Sequence, residues 1–257
     1  MPGFDPVSLF TAGYLLASSP ACPAPADEPV VNVLFTQKEP EFITNLTSAQ
    51  LERNTAESDR AALKGSDAAA HYTADRRAET LQVVRQEGQS FTGGYMTGGL
   101  SAKYDLEYAT RPAFGEPPKN CVYVGKVSLE ILYTPKIYVS ANYREYACAN
   151  AVITAHEKNH VARDLLAISV FLPQAKKTLQ AILQHVNGQG PFMPGTALAE
   201  GSAAINGKID SEMTKEVFDP LALLRAQYQA VLDTPASYLR QSMLCPAWQW
   251  KAGGGAK

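Results

Sequence analysis

Histidine and cysteine are scarce in this chain of 257 residues, with four of each. Any metal or nucleophile site must therefore draw on a short list of side chains. A charge surplus is missing too: 23 Lys and Arg stand against 25 Asp and Glu, a net charge of −2. A chain built to neutralise phosphates carries a basic excess, so nucleic acid is excluded as the main partner. No apolar run approaches the ~18 residues that cross a bilayer, so no membrane span is expected. The absence of Cys-x-x-Cys removes zinc-ribbon and thioredoxin-type sites. There is no Gly-x-Ser-x-Gly elbow, no Gly-Lys-Ser/Thr phosphate loop, and no internal repeat or heptad array. What remains is 46% hydrophobic residues against 19% charged, enough for a sizeable core in one large domain or two small ones.

The N-terminus has a short apolar stretch, Ser8–Ala17, followed by Ala24-Pro25-Ala26, which has the form of an A-x-A cleavage site. Met1–Val7 lacks the basic residues of a usual signal peptide. Residues 1–26 are expected to be a signal peptide or leader, and the protein secreted or periplasmic. In such a compartment the cysteines pair. Cys121 opens a strand-like run and Cys148 lies near a helix start, so a Cys121–Cys148 bridge fits and leaves Cys22 with Cys245. Cleavage after Ala26 would remove Cys22 and leave Cys245 odd; four unpaired thiols are the alternative.

Val30–Phe35 is β-branched and reads as a strand. Thr47-Ser48-Ala49-Gln50 has capping-box spacing and opens a helix to about Glu57. A second helix is predicted over 75–86. The glycines at 88, 93, 94, 98 and 99 suggest a surface loop or hairpin connection, followed by a half-exposed strand at Tyr104, Leu106 and Tyr108. Residues 110–120 read as a Pro-rich connector. Val127, Leu129, Ile131 and Tyr133 alternate as a strand, Thr134-Pro135 predicts a turn, and Ile137–Val139 predicts a further strand. Asn142 with Glu145 three residues on predicts a helix cap. The helix runs at least to Ser169, is kinked or broken at Pro173, and continues to Asn187-Gly188. A last long helix is expected over 210–233.

The chemistry concentrates at His156-Glu157-Lys158-Asn159-His160, an H-E-x-x-H inside a segment already read as helical. Positions i and i+4 share a helix face, so two imidazoles can hold one zinc ion. Glu157 stands beside them and can take a proton from water acidified by that ion. Metal ligands His156 and His160, general base Glu157 and the cofactor Zn2+ are the resulting expectations. His71 carries no metal-like spacing, whereas His185 could join the site if the chain folds back at Pro173.

The segment Ile153–Ala162 resembles the active-site helix of the zincin metallopeptidases, and the strands before it resemble the zincin sheet. Residues 121–238 resemble an uncharacterised bacterial family described as predicted secreted zinc-dependent proteases. The resemblance implies a strand, 127–133 or 137–140, that aligns an extended substrate. In that family a later Asp is followed five residues on by a ligating His; here Asp233 is followed by Tyr238. Lys158 stands where most zincins keep an uncharged residue. The Glu ligand found about twenty residues beyond the motif in one zincin branch is replaced by Leu179 and Gln180, and the Gly and His of another branch by Ala162-Arg163-Asp164. Asp164 is ~12 Å along the helix from His156, too far to share its ion, and reads as a supporting acid or an Arg partner. Tyr238, His185, Glu200 and Asp210 are the candidates for third ligand, with Asp210 most simply an N-cap and Glu200 in a loop.

The expectation is an α+β fold, a small antiparallel or mixed sheet packed on a long active-site helix with further helices C-terminal. The layout would be a leader (1–26), an N-terminal α/β region (27–115), a zincin-like core (116–245) and a disordered tail (246–257). The function would be a zinc-dependent hydrolase, a secreted or periplasmic metallopeptidase acting on peptide, protein or a cell-wall amide. The alternative is a catalytically inactive zincin-like binding or envelope-associated protein.

Overall fold

The computed structural model describes residues 22, 23, 25, 27–64, 93–114, 120–188, 192–193 and 198–253. Its frame is a mixed sheet laid on one long strand, β4 (Asn120–Val139). Two strands run parallel to β4 along one edge, β1 (Val30–Gln37) and then β2 (Glu41–Ile43). β3 (Gly94–Pro112) runs antiparallel along the other edge, and the short β5 (Phe192–Met193) pairs with the start of β4. The sheet therefore has the mixed form allowed by the sequence. Strands on both sides of residue 115 share it.

Alternation fixes which face is covered. Val127, Leu129, Ile131, Tyr133, Ile137 and Val139 are buried under the helices. The opposite face carries cross-strand ion pairs, Lys103–Glu130, Lys136–Glu41 and Lys126–Glu107. One side is apolar and the other solvated, as a two-layer arrangement requires. These exposed pairs add little stability and serve mainly to keep that face polar.

Two expectations for this region are corrected. Thr134-Pro135 does not turn the chain, because β4 runs straight through it. Ser140 N–H donates to Gly93 O (2.8 Å) and Lys38 N–H to Tyr133 O (2.9 Å), so alternate residues of β4 face β3 and the β1/β2 edge. By that parity Pro135 faces the β1/β2 edge, at the gap after the Gln37–Tyr133 pair and before the Glu41–Lys136 pair. No ladder hydrogen bond is lost there. Of the glycine run, read as a loop, Gly94, Gly98 and Gly99 lie instead in the first part of β3, and Gly88 lies outside the described residues. A Cβ at Gly94 would lie 2.7 Å from both Ile153 Cγ2 and Tyr138 O, and 3.1 Å from Glu157 Oε1. Glycine there lets the strand pass directly beneath the motif helix.

Thr47 and Gln50 form the expected capping box, with Thr47 N–H donating to Gln50 Oε1 (2.7 Å) and Gln50 N–H to Thr47 Oγ1 (3.3 Å). The helix they open, α1, extends over Ser48–Lys64. The helix predicted over 75–86 lies outside the described residues. Helix α2 (Ala147–Gly188) is one piece of 42 residues. It starts later than the Asn142 cap implied: Ser140 caps a 3-10 turn, Ala141–Tyr143, and α2 follows. The break expected at Pro173 is also absent. Ile168, Phe171, Ala175 and Leu179 are buried on either side of it, and packing outweighs one missing backbone bond.

The C-terminal helix begins earlier than expected, as α3 (Leu198–Met213), and passes through a π-helical turn, Thr214–Phe218, into α4 (Asp219–Ala230). Asp210 is thus inside a helix rather than its N-cap. Glu200 is also on α3, not in a loop. α5 (Pro235–Ser242) and α6 (Ala247–Gly253) follow. Residues 247–253 are therefore helical where a disordered tail was expected, and Trp250 is buried edge-on against Tyr143.

The disulfides are Cys22–Cys121 and Cys148–Cys245, not Cys121–Cys148. α2 runs antiparallel to β4: its end (Asn187) meets Val124, and its first turns (Ile153) lie over Gly94 and Tyr138. Cys121 and Cys148 therefore sit at opposite ends of a strand roughly 60 Å long, beyond any bridge. Removal of residues 1–26 would break the Cys22–Cys121 bond.

The buried Asn187 carboxamide acts as a strand segment, accepting from Val124 N–H (2.9 Å) and donating to Val124 O (3.0 Å). Asn187→Ala leaves both backbone groups without these bonds and should cost about 2 to 3 kcal/mol in urea unfolding. A loss under about 0.5 kcal/mol would contradict this role.

Candidate metal centre

The two motif histidines are buried where α2 packs against α4, α5 and the turn between them. His156 is 7% exposed, Glu157 4% and His160 6%. One turn separates the imidazoles, and their Nε2 atoms stand 3.1 Å apart. A third donor comes from the turn between α4 and α5. Asp233 Oδ1 lies 3.3 Å from His156 Nε2 and 3.1 Å from His160 Nε2. Thr234 caps α5 by accepting from Ser237 N–H, and Pro235 occupies the first turn, which fixes Asp233 just ahead of the helix. The Cys148–Cys245 bridge ties the chain beyond α5 to the first turn of α2.

These three atoms form a nearly equilateral triangle. Donors at zinc-ligand distances from a tetrahedral ion stand roughly 3.3 Å apart, so His156, His160 and Asp233 fit one face of such a site. Together they could hold a metal ion. Two bare imidazole nitrogens and a carboxylate oxygen repel at this separation, so the cluster needs a cation or protons at its centre. Burial disfavours the charged form of His160, but the hydrogen bond and charge of Asp233, helped by Glu157, push its pKa up to about 9. Burial likewise works against the Asp233 carboxylate, yet both imidazoles hold its pKa far below the ordinary range.

Around the triangle lie Tyr238 and Asp164, singled out from the sequence, and Gln229 and Gln241, which pattern reading did not select. Tyr238 hydroxyl donates to Asp233 Oδ1 (2.8 Å). His156 Nδ1 lies 2.8 Å from Gln241 Nε2, and His160 Nδ1 is hydrogen-bonded to Gln229 Oε1. Gln229 Nε2 donates to Asp164 Oδ1 (2.6 Å) and to His160 O (2.9 Å). Asp164 is 1% exposed and also accepts from Tyr133 hydroxyl (2.9 Å) and Arg225 Nη2 (2.6 Å). The reading of Asp164 as an acid with an Arg partner fits this arrangement.

The remaining sequence candidates are elsewhere. His185 is exposed in the last turn of α2, roughly 40 Å along a straight helix from His156. Asp210 accepts from Tyr104 hydroxyl on the outer part of β3. The side chain of Glu200 and all of His71 lie outside the described residues. Tyr238 reaches the site as a donor to Asp233, not in the ligand triangle. Asp233 opened the segment matched to the bacterial family, but the resemblance put the ligand five residues later. Its own signal was its place just before Thr234-Pro235, a helix start.

The strand beside the site is β3, not β4. β4 is paired on both edges over 126–133 and 136–138, so neither candidate segment can accept a further strand. Among the described residues nothing pairs with the outer edge of β3. By the parity above, Gly94, Met96 and Gly98 direct their backbone groups to that edge, and Arg225 Nη2 already binds Gly98 O (2.7 Å).

No family model, curated protein or solved structure matches the chain. The chemistry must be read from the site itself.

A metal ion must displace the proton that Asp233 holds on His160. Zinc added to the metal-free protein at pH 7.5 should release a proton, with apparent affinity rising as pH approaches about 9. Calorimetric titration in buffers of different ionisation enthalpy measures the release; buffer-independent heats would contradict it.

Proposed function

We propose that the protein is a zinc-dependent hydrolase of the zincin type, acting on peptide bonds outside the cytoplasm. The observation that carries this reading is the convergence of His156, His160 and Asp233 beside the buried Glu157. His156 Nε2, His160 Nε2 and Asp233 Oδ1 would hold the ion, leaving a fourth position open to water and substrate, as catalytic zinc sites require. When bound, zinc acidifies water and polarises a carbonyl.

The chain's own groups divide the remaining work. Glu157 lies next to Gly94 at the open edge of β3, so a substrate strand paired along 94–97 brings its scissile bond close to the carboxylate. Glu157 takes the proton from the attacking water and returns it to the leaving amine. Tyr238 hydroxyl, which donates to Asp233 Oδ1, would hold that ligand oxygen in place. Burial of Glu157 keeps competing water away from it.

Two disulfides support an oxidising compartment. No helix among the described residues is long and apolar enough to cross a membrane. Asp233 offers a third donor beside the two imidazoles, which supports the catalytic reading over the inactive alternative.

The purified protein should carry one zinc per chain and cleave unstructured peptides. Glu157→Gln should keep the zinc and lose at least about 100-fold in kcat. Loss of metal with no cleavage by the wild type would sink the reading, as would unimpaired cleavage by the variant.

A further inference from the structure

The two imidazoles meet a carboxamide at Nδ1 in different ways. Gln241 Nε2 has Ser237 Oγ (3.2 Å) as its other partner. A hydroxyl both donates and accepts, so that amide can present either end to His156. Gln229 has no such freedom. Its Nε2 donates to the Asp164 carboxylate and to the His160 carbonyl, and neither group can donate in return. The amide is locked with its oxygen toward His160, and His160 must keep its proton on Nδ1.

We propose that Gln229 is the positioning residue that makes His160 a metal ligand, and that Asp164 sets its orientation. With the Nδ1 proton held in place, the proton that a metal displaces is the one on Nε2, whose lone pair then points between His156 Nε2 and Asp233 Oδ1. The link is an amide rather than a carboxylate, so the Asp164 charge reaches His160 only at one remove. Arg225 neutralises that charge and at the same time binds Gly98 O on the open edge of β3. One chain of contacts, Gly98–Arg225–Asp164–Gln229–His160, joins the strand edge to the site.

The assignment rests on the metal reading above, and zinc affinity measured by chelator competition tests both. Gln229→Met keeps the length of the side chain and removes the acceptor. Asp164→Asn lets residue 164 donate to Gln229 and removes one of the two acceptors that lock the amide, leaving only His160 O to hold its nitrogen away from the ring. Each should weaken zinc binding 10–100-fold. The exchange Asp164→Asn with Gln229→Glu sets a donor at 164 against an acceptor at 229 whose other oxygen still accepts from His160 Nδ1, and should recover part of the affinity lost in Asp164→Asn. A purely structural role would not be rescued by that exchange. Wild-type affinity in Gln229→Met, or no recovery in the exchanged pair relative to Asp164→Asn, overturns the assignment. Failure of the wild type to bind zinc overturns the metal reading instead.

Discussion

Three lone-pair-bearing atoms held within 3.3 Å of one another are the arrangement on which this molecule turns. Left without a cation or protons they would repel, and burial would sharpen the repulsion. The fold keeps them together from two directions. α2 supplies both imidazoles at fixed helical spacing, and the α4–α5 turn supplies the carboxylate. Cys148–Cys245, the Thr234 cap and Tyr238 hold that turn and the chain after it against α2. Asp233 in turn raises the proton affinity of His160, so the metal-free site is held by protons that a metal would replace.

The sheet explains why the motif helix can sit so low over its strands. Gly94 lies beneath Ile153 and Glu157, and Gly98 lies beside Asp164 and Arg225. Side chains at either position would push α2 or α4 away from β3. The same closeness brings the open edge of β3 beside Glu157. A backbone edge and a carboxylate are thus joined by packing rather than by a dedicated loop.

Local signals in the sequence were reliable where short-range chemistry decides the outcome. The Thr47–Gln50 capping box, the alternation over Val127–Tyr133 and the His156–His160 spacing all correspond to observed geometry. Signals that depend on partners distant in sequence were misread. Pro135 looks like a turn until β1 and β2 are seen to leave a gap opposite it. The glycines at 94 and 98 look like a loop until a helix is laid over them. Asp233 is unremarkable as one acid among many, because its distance from the imidazoles is set by α4, α5 and a disulfide together. Gln229 and Gln241 carry no motif at all; their roles come from the polar atoms they face.

The central claim is that two imidazoles and one carboxylate form the protein part of a zinc site. X-ray absorption at the zinc edge of the zinc-loaded protein tests it most directly. The account predicts four light ligands at about 2.0–2.2 Å, with outer-shell scattering from two imidazoles. A shell containing sulfur at about 2.3 Å, or one with no imidazole scattering, would contradict it.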